Sequence, residues 1–127
     1  MKQVWIVDDD EEMARAVGLM LKLLDCEVVS FLNARSAART LLSGRKPDAL
    51  ILDINMPEVT GLDLLEFVRR NQVWKGLPVV MLSSEAADVT VDKALAIGAD
   101  GYVTKPVTLE ELERVLWDAF RKHQKGT

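Results

Sequence analysis

Four short stretches of the sequence carry polar side chains whose types and order could do chemistry. Asp8, Asp9 and Asp10 form a run of acids, Asp53 ends the apolar stretch ALILD, two serines end the stretch VVMLSS, and Lys105 stands before a proline. Burying an unpaired carboxylate is unfavourable. An acid at the end of the most hydrophobic stretch of the chain therefore calls for a positively charged neighbour.

The chemistry that these side chains favour is phosphoryl transfer. Carboxylates a few ångströms apart repel each other unless a positive group offsets the repulsion or one acid stays protonated. Lys105 supplies one positive charge, and a set of oxygen ligands without Cys or nearby His suits Mg²⁺, which leaves room for a phosphate. Together with the hydroxyl of Ser83, such a site could let Asp53 act as a nucleophile and form an aspartyl phosphate.

Each stretch taken alone also has a purely structural interpretation. Asp9 and Glu12 have the spacing of a helix-capping box, and the two serines could cap the helix that follows them. Lys105 could be a solvated surface lysine. Asp53 fits such an interpretation least well, because it follows a buried strand and stands at no evident helix cap.

Hydrophobic patterning predicts five strands that alternate with five helices, and these elements must position the polar residues. The strands are predicted over residues 4–7, 27–32, 48–53, 77–83 and 101–104, and the helices over 11–24, 34–41, 61–68, 87–95 and 109–120. We expect Asn33 and Thr108 to cap the second and fifth helices, and Gly44 and Gly98 to end the second and fourth.

This alternation predicts an α/β fold with a doubly wound, parallel, five-stranded sheet covered by helices on both faces. In such sheets ligands bind in the crevice at the carboxyl ends of the strands. The polar stretches described above all follow predicted strands, so we expect them to lie together at that edge of the sheet.

Length, composition and charge narrow the class of protein further. The chain has 127 residues, 49% of them hydrophobic, which predicts one packed domain; we place it at 1–121, followed by a polar tail at 122–127 that frays. The net charge of −4 argues against a nucleic-acid surface. The single cysteine, the lack of an apolar run long enough for a membrane span and the absence of a signal peptide predict a cytoplasmic location.

In combination, the four stretches resemble the receiver domain of a bacterial two-component response regulator, of the chemotaxis type and the nitrogen-regulation type. The motifs are IVDDD at the first strand, LDINMP at the third, MLSSEA at the fourth and GYVTKP at the fifth, and the resemblance runs from Val4 to about Phe120. No single motif is specific, but four in order at strand ends are. The resemblance implies a flavodoxin-like (βα)5 fold with strand order 2-1-3-4-5.

The resemblance implies a phosphoacceptor and a metal site. Asp53 matches the family's phosphoacceptor, and Asp8 and Asp9 match the acid pair that holds Mg²⁺, Asp9 directly and Asp8 largely through water. Asp53 and the backbone carbonyl of Asn55 would be further metal ligands. Asn55 and Glu85 also stand where family members modulate how long the phosphate survives.

The resemblance also assigns the residues that respond to the phosphate. Ser83 matches the switch residue whose hydroxyl bonds a phosphoryl oxygen, and Lys105 matches the lysine that pairs with the phosphate. The bond between Lys105 and Pro106 would be a cis peptide, which is tolerated before proline. Tyr102 matches the aromatic switch on the fifth strand.

Two departures from the family pattern are mild. Asp10 adds a third acid where many members have an uncharged residue; we expect it to cap the first helix, while adding to the negative potential near the metal site. Ser83 replaces the commoner threonine and lacks its methyl group, which could loosen the switch.

The function implied is that of a signalling phosphoacceptor rather than a dedicated turnover enzyme, although the domain would promote its own phosphorylation and dephosphorylation. The partner would be a sensor histidine kinase or a histidine phosphotransfer protein. Phosphorylation would bias the face formed by the fourth helix, fifth strand and fifth helix, which would act on an output domain, an output protein or a second copy in a homodimer. No binding to nucleic acid or membrane is expected.

Three alternatives stay open at this point. A flavodoxin-like flavin binder needs a Ser, Thr or Gly loop after the first strand to cradle phosphate, whereas this chain has DDDEE there. A phosphatase of the haloacid dehalogenase type needs a second acid two residues after its nucleophile, whereas Asn55 stands there. A non-phosphorylated pseudo-receiver, acting as a protein-interaction module, is the most serious alternative.

Overall fold

The computed structural model describes residues 1–84 and 89–124, which form five strands and five helices in strict alternation. The strands are β1 (Lys2–Val7), β2 (Cys26–Phe31), β3 (Ala49–Asp53), β4 (Val79–Ser83) and β5 (Gly101–Thr104), and the helices are α1 (Glu11–Leu23), α2 (Ala34–Leu42), α3 (Gly61–Arg70), α4 (Val89–Ile97) and α5 (Leu109–Gln124). Neighbouring strands are parallel and follow the order β2-β1-β3-β4-β5. The predicted doubly wound, flavodoxin-like fold is therefore confirmed.

The sheet separates two hydrophobic layers, because successive side chains of a strand point to opposite faces. One layer contains Trp5 and Leu52 together with buried residues of α2, α3 and α4. The other contains Ile6 and Ile51 together with buried residues of α1 and α5. Every residue of β3 and β4 is buried, which explains why those strands read as nearly continuous apolar runs. Within the described residues, no helix is both long and apolar enough to cross a membrane.

Local sequence explains where α1, α2 and α5 begin. Asp10 caps α1, since its side chain accepts hydrogen bonds from the N–H groups of Glu12 and Met13, so the capping-box interpretation of Asp9 is wrong. Asn33 and Thr108 accept hydrogen bonds at the starts of α2 and α5, as predicted. These caps satisfy backbone N–H groups that have no partner inside the helix.

The structure differs from the prediction at the end of the chain. The expectation that residues from 122 onward fray is wrong for residues 122–124, because α5 continues to Gln124. The Lys122 ammonium donates a hydrogen bond of 2.8 Å to the backbone carbonyl of Asp100, and His123 Nε2 lies 2.9 Å from Asp100 Oδ1. These tertiary contacts hold a polar helical turn that has no apolar pattern of its own. The domain limits 1–121 stay a prediction.

Candidate functional site

The carboxyl ends of the strands bring the predicted polar residues to one edge of the sheet. Asp8 follows β1, Asp53 is the last residue of β3, Ser83 is the last residue of β4, and Lys105 follows β5. The backbone N–H of Lys105 donates a hydrogen bond of 2.7 Å to the carbonyl of Ser83, which ties the ends of β4 and β5 together. Residues separated by up to 97 positions, the difference between 105 and 8, thus meet in one place.

Three carboxylates form an acidic pocket at this edge. Asp8, Asp9 and Asp53 each offer an oxygen, and these oxygens all lie within 4.8 Å of one another. Asp8 is 0% exposed and Asp53 is 4% exposed, whereas Asp9 is exposed. Two of the three acids are therefore shielded from water. Their mutual repulsion is stronger in this buried position than it would be in water.

Lys105 is the positive partner of the two buried acids. Its Nζ lies 3.4 Å from Asp53 Oδ1 and 3.7 Å from Asp8 Oδ2, and its side chain is 21% exposed. The interpretation of Lys105 as a solvated surface lysine is therefore wrong. One lysine leaves the pocket with a surplus of negative charge when all its acids are ionised.

Asp8 carries the clearest sign that the pocket lacks positive charge. Its Oδ1 accepts a hydrogen bond of 2.9 Å from the N–H of Asp10, but its Oδ2 is buried and has no hydrogen-bond partner within the described part of the chain. Burial, reinforced by the charge of Asp53, raises the pKa of Asp8 from 3.8 to about 6, against the opposing effects of the Asp10 N–H and of Lys105. A cation in the pocket would satisfy Oδ2 and favour the ionised form.

The donor set fits a hard divalent cation. It consists of oxygen ligands, with one buried oxygen unsatisfied, and this is the chemistry that Mg²⁺ prefers. The N–H of Asn55 donates a hydrogen bond of 3.3 Å to Asp53 Oδ1, and this bond holds the backbone of Asn55 close to the acid. The assignment of the Asn55 carbonyl as a metal ligand stays a prediction.

The other predicted residues that the structure describes lie on or next to β4 and β5. Ser83 is 4% exposed and pairs with Thr104 across β4 and β5, and the peptide bond between Lys105 and Pro106 is cis, as predicted. Tyr102 is 37% exposed and lines a groove of about 450 Å³ between α4, β5 and α5. Glu85, predicted to modulate phosphate lifetime, lies outside the described residues.

One residue that contacts the site was recognised in the sequence only as a helix start. Gly61 begins α3, and a Cβ atom there would stand 2.1 Å from the backbone carbonyl oxygen of Asp53. The signal for this contact in the sequence is weak: the first position of a helix does not by itself require glycine. Close approach of a neighbouring backbone is the other common reason for a glycine.

A second group of residues that sequence reasoning missed lies at the opposite edge of the sheet. Arg69 of α3 donates hydrogen bonds to the carbonyls of Gly98 at 2.8 Å, Leu77 at 2.7 Å and Lys75 at 3.0 Å. Its Nη2 also lies 3.0 Å from Asp100 Oδ2. No local pattern in the sequence marks these partners, because they are joined only by the tertiary fold.

Fold and site together define a class of protein: a doubly wound α/β domain with an acidic, lysine-containing centre at the carboxyl edge of its sheet. The chain belongs to the family of response regulator receiver domains, whose family model matches residues 4–116. Receiver domains are signalling modules, and a phosphoacceptor role is typical of the family. The recognition made from the sequence motifs is confirmed.

Individual relatives agree with this assignment. Chemotaxis protein CheY of Pseudomonas aeruginosa is 33% identical over 120 residues, which are 94% of this chain and 97% of CheY. The KDP operon transcriptional regulatory protein KdpE of Escherichia coli is 33% identical over 129 residues, which cover 100% of this chain but 55% of KdpE. The structure of chemotaxis protein CheY4 of Vibrio cholerae superposes with a TM-score of 0.84 at 30% identity, over 94% of this chain and 98% of that chain.

These comparisons decide between the alternatives left open by the sequence. The family match gives no support to a flavin binder or to a phosphatase of the haloacid dehalogenase type, and a non-phosphorylated pseudo-receiver is not favoured. The chain spans nearly the whole of CheY but about half of KdpE. The match to KdpE therefore concerns its receiver part and does not extend the activity or partners of the whole of KdpE to this chain.

Proposed function

We propose that Asp53 is the phosphoacceptor of this receiver domain and takes its phosphoryl group from a phosphohistidine of a sensor histidine kinase or a histidine phosphotransfer protein. The observation that supports this most is the position of the Asp53 carboxylate, 3.4 Å from Lys105 Nζ and within the acidic pocket. Phosphoryl transfer depends mostly on positioning and charge neutralisation, and this pocket supplies both.

The transfer exchanges one bond to phosphorus for another. A carboxylate oxygen of Asp53 attacks phosphorus in line, the bond between phosphorus and the histidine nitrogen breaks, and its electron pair stays with the imidazole. Lys105 contacts a phosphoryl oxygen and neutralises part of its charge. Asp8, Asp9, Asp53 and the carbonyl of Asn55 would hold Mg²⁺, which when bound neutralises further phosphoryl charge.

The output of the domain follows from residues around the phosphate. Ser83 is buried at the end of β4, where its hydroxyl would bond a phosphoryl oxygen. The exposed ring of Tyr102 would then turn toward the sheet and change the face formed by α4, β5 and α5, which is a population shift with a local electrostatic trigger. We propose that this face acts on an output domain, an output protein or a second copy of the chain, in the cytoplasm.

The proposal is tested by incubating the protein with Mg²⁺ and acetyl phosphate and measuring its intact mass. We expect a phosphoryl adduct in the unaltered protein, no adduct with Asp53→Asn, and no adduct when Mg²⁺ is chelated. Asp48→Asn is the matched control, because Asp48 is exposed and directly precedes the start of β3. Its side chain accepts a hydrogen bond from the N–H of Gln3, which the amide oxygen of asparagine can also accept.

The control separates the role of Asp53 from a general effect of removing an acid. Asp48→Asn should form the adduct at the rate of the unaltered protein. A Mg²⁺-dependent adduct of undiminished yield in Asp53→Asn would refute the assignment, and the absence of an adduct in the unaltered protein would favour the pseudo-receiver.

A further inference from the structure

The start of α3 lies directly against the backbone of the proposed phosphoacceptor. A Cβ atom at Gly61 would stand 2.1 Å from the carbonyl oxygen of Asp53, 2.9 Å from its carbonyl carbon and 3.2 Å from the Cα of Ile54. In protein structures, Cβ atoms essentially never lie within 3.0 Å of a heavy atom that belongs to a residue distant in the chain. A side chain at Gly61 therefore requires the two backbones to separate by at least 0.9 Å, the difference between 3.0 and 2.1 Å.

The contact cannot be relieved by a flexible side chain, because both of its sides are backbone. On one side, the N–H of Gly61 donates a hydrogen bond of 3.4 Å to the carbonyl of Ile54, and Thr60 and Asp63 form a capping box that fixes the first turn of α3. Leu64, Leu65 and Val68 bury the same helix in the core.

The other side of the contact is equally well held. Asp53 is the last residue of β3, where it pairs with Leu82 of β4, and the N–H of Ile54 donates a hydrogen bond of 3.0 Å to the carbonyl of Leu82. Neither backbone can retreat without breaking ordered contacts. Because β3 ends at Asp53, we expect part of any displacement to fall on Asp53 and Ile54.

We infer that Gly61 is a positioning residue for phosphoryl transfer: by allowing α3 to start against the carbonyl of Asp53, it sets where the Asp53 carboxylate stands relative to Lys105 and Asp8. This inference rests on the proposed function of Asp53. The carboxylate is 3.4 Å from Lys105 Nζ, and one oxygen from each of the three acids falls within a single 4.8 Å cluster. A displacement of about an ångström can lower the rate of a reaction by about a hundredfold when it moves the reacting groups.

Two control variants separate positioning from other effects of substitution. Gly76→Ala adds the same methyl group where nothing lies within 4 Å, and Gly76 has no left-handed backbone conformation. Thr60→Ala removes the side-chain cap of α3 and lowers stability, but places no atom against Asp53. Neither residue belongs to the proposed site.

The first experiment measures the rate of phosphorylation by acetyl phosphate with Mg²⁺. We expect Gly61→Ala to be phosphorylated at least tenfold more slowly than the unaltered protein, and Gly76→Ala and Thr60→Ala to stay within twofold. A second readout, without metal or phosphate, is the NMR signal of the Asn55 amide, which donates to Asp53 Oδ1. It should move in Gly61→Ala and stay in place in Thr60→Ala.

Several results would overturn the inference. A folded Gly61→Ala with the normal rate and an unmoved Asn55 signal excludes a positioning role, and an equal loss of rate in Thr60→Ala shows an effect of stability alone. If Gly61→Ala does not fold, it is remade together with Gly18→Ala in α1. A Cβ atom at Gly18 would make ordinary contacts of 3.7 Å with Val28 and 3.9 Å with Ile6, and alanine favours the helix.

The remaining outcomes are also decisive. Failure to fold in both backgrounds assigns Gly61 to the fold rather than to the site. If the unaltered protein forms no adduct, the proposed function fails and the inference falls with it, whereas an adduct formed at the same rate in the Gly61→Ala variant overturns the inference alone.

Discussion

The carboxyl group of Asp8 is buried in a pocket that holds more acids than bases, and this has a consequence for stability. Its pKa is raised from 3.8 to about 6, so the folded protein binds a proton that the unfolded chain releases between these values. The stability associated with that proton is present at pH 4 and below and is lost as the pH rises through 6. Without a divalent cation, Asp8 therefore destabilises the fold at neutral pH.

This gives a prediction for the metal-free protein. The free energy of unfolding should fall by on the order of 2 kcal/mol between pH 4 and 6 relative to Asp8→Asn, which cannot ionise. Urea unfolding across this pH range measures the difference. Asp48→Asn should follow the unaltered protein, because Asp48 is an exposed acid. Parallel curves for the unaltered protein and Asp8→Asn would show that the pKa of Asp8 is not raised.

Addition of Mg²⁺ at pH 7.5 should offset this loss of stability. A ligand at a hundred times its Kd stabilises the folded state by about 2.7 kcal/mol, so the unaltered protein should gain stability and Asp8→Asn should gain much less. Equal gains in both proteins would place the cation elsewhere.

At the scale of the elements, the loop between β3 and α3 contains a residue in an unfavourable conformation. Glu58 has a φ of +63°, a region that asparagine tolerates better than other residues with side chains. We expect Glu58→Asn to raise the free energy of unfolding by on the order of 0.5 kcal/mol. Glu58→Ala also removes the charge but has no side-chain amide to hydrogen-bond the local backbone, so it should gain less. Thermal unfolding of the two variants compares them. A larger gain in the alanine variant would assign the effect to charge.

The elements themselves follow largely from local sequence, and the exceptions have tertiary causes. The strand and helix pattern, the caps at Asn33 and Thr108 and the cap at Asp10 could all be predicted from residue types and spacing. The last turn of α5 could not, because Lys122 and His123 are held by Asp100, which lies more than twenty residues earlier. Polar residues at a helix end look alike in sequence whether they fray or dock.

At the scale of the whole molecule, the pairing of Arg69 with Asp100 joins elements that are distant in sequence. Arg69 comes from α3, Asp100 precedes β5, and the Asp100 carboxylate also accepts a hydrogen bond of 2.8 Å from the N–H of Val79 in β4. Burial lowers the pKa of Arg69, opposed by the attraction of Asp100. Removing the guanidinium would take the arginine partner from a mostly buried carboxylate and would remove the hydrogen bonds that Arg69 donates to three backbone carbonyls.

We therefore expect Arg69→Met to destabilise the protein by about 3 kcal/mol or more. Arg70→Met is the matched control, because Arg70 is exposed and its contact with Glu66 at 3.6 Å is a surface ion pair worth about 0.5 kcal/mol or less. Chemical denaturation of both variants measures the difference. Similar losses would mean that the buried network contributes no more than a surface pair.

The candidate site could be predicted from the sequence more fully than the network of Arg69 and Asp100 at the opposite edge of the sheet. Asp8, Asp53 and Lys105 follow strands, and parallel strands place their carboxyl ends together, so their meeting could be inferred from the order of the elements. The contact of Gly61 with Asp53 and the partners of Arg69 depend on distances between backbones, which residue types do not encode.

The origin of the site in three different strands links its chemistry to the folding reaction. Asp8 follows β1, Asp53 ends β3 and Lys105 follows β5, so the groups meet only after parallel pairings between distant parts of the chain have formed. Such non-local pairings form slowly compared with helices and hairpins. During synthesis Asp8 and Asp53 are made before Lys105. The chain would become competent for phosphorylation only after β5, the edge strand that Lys105 follows, had paired with β4.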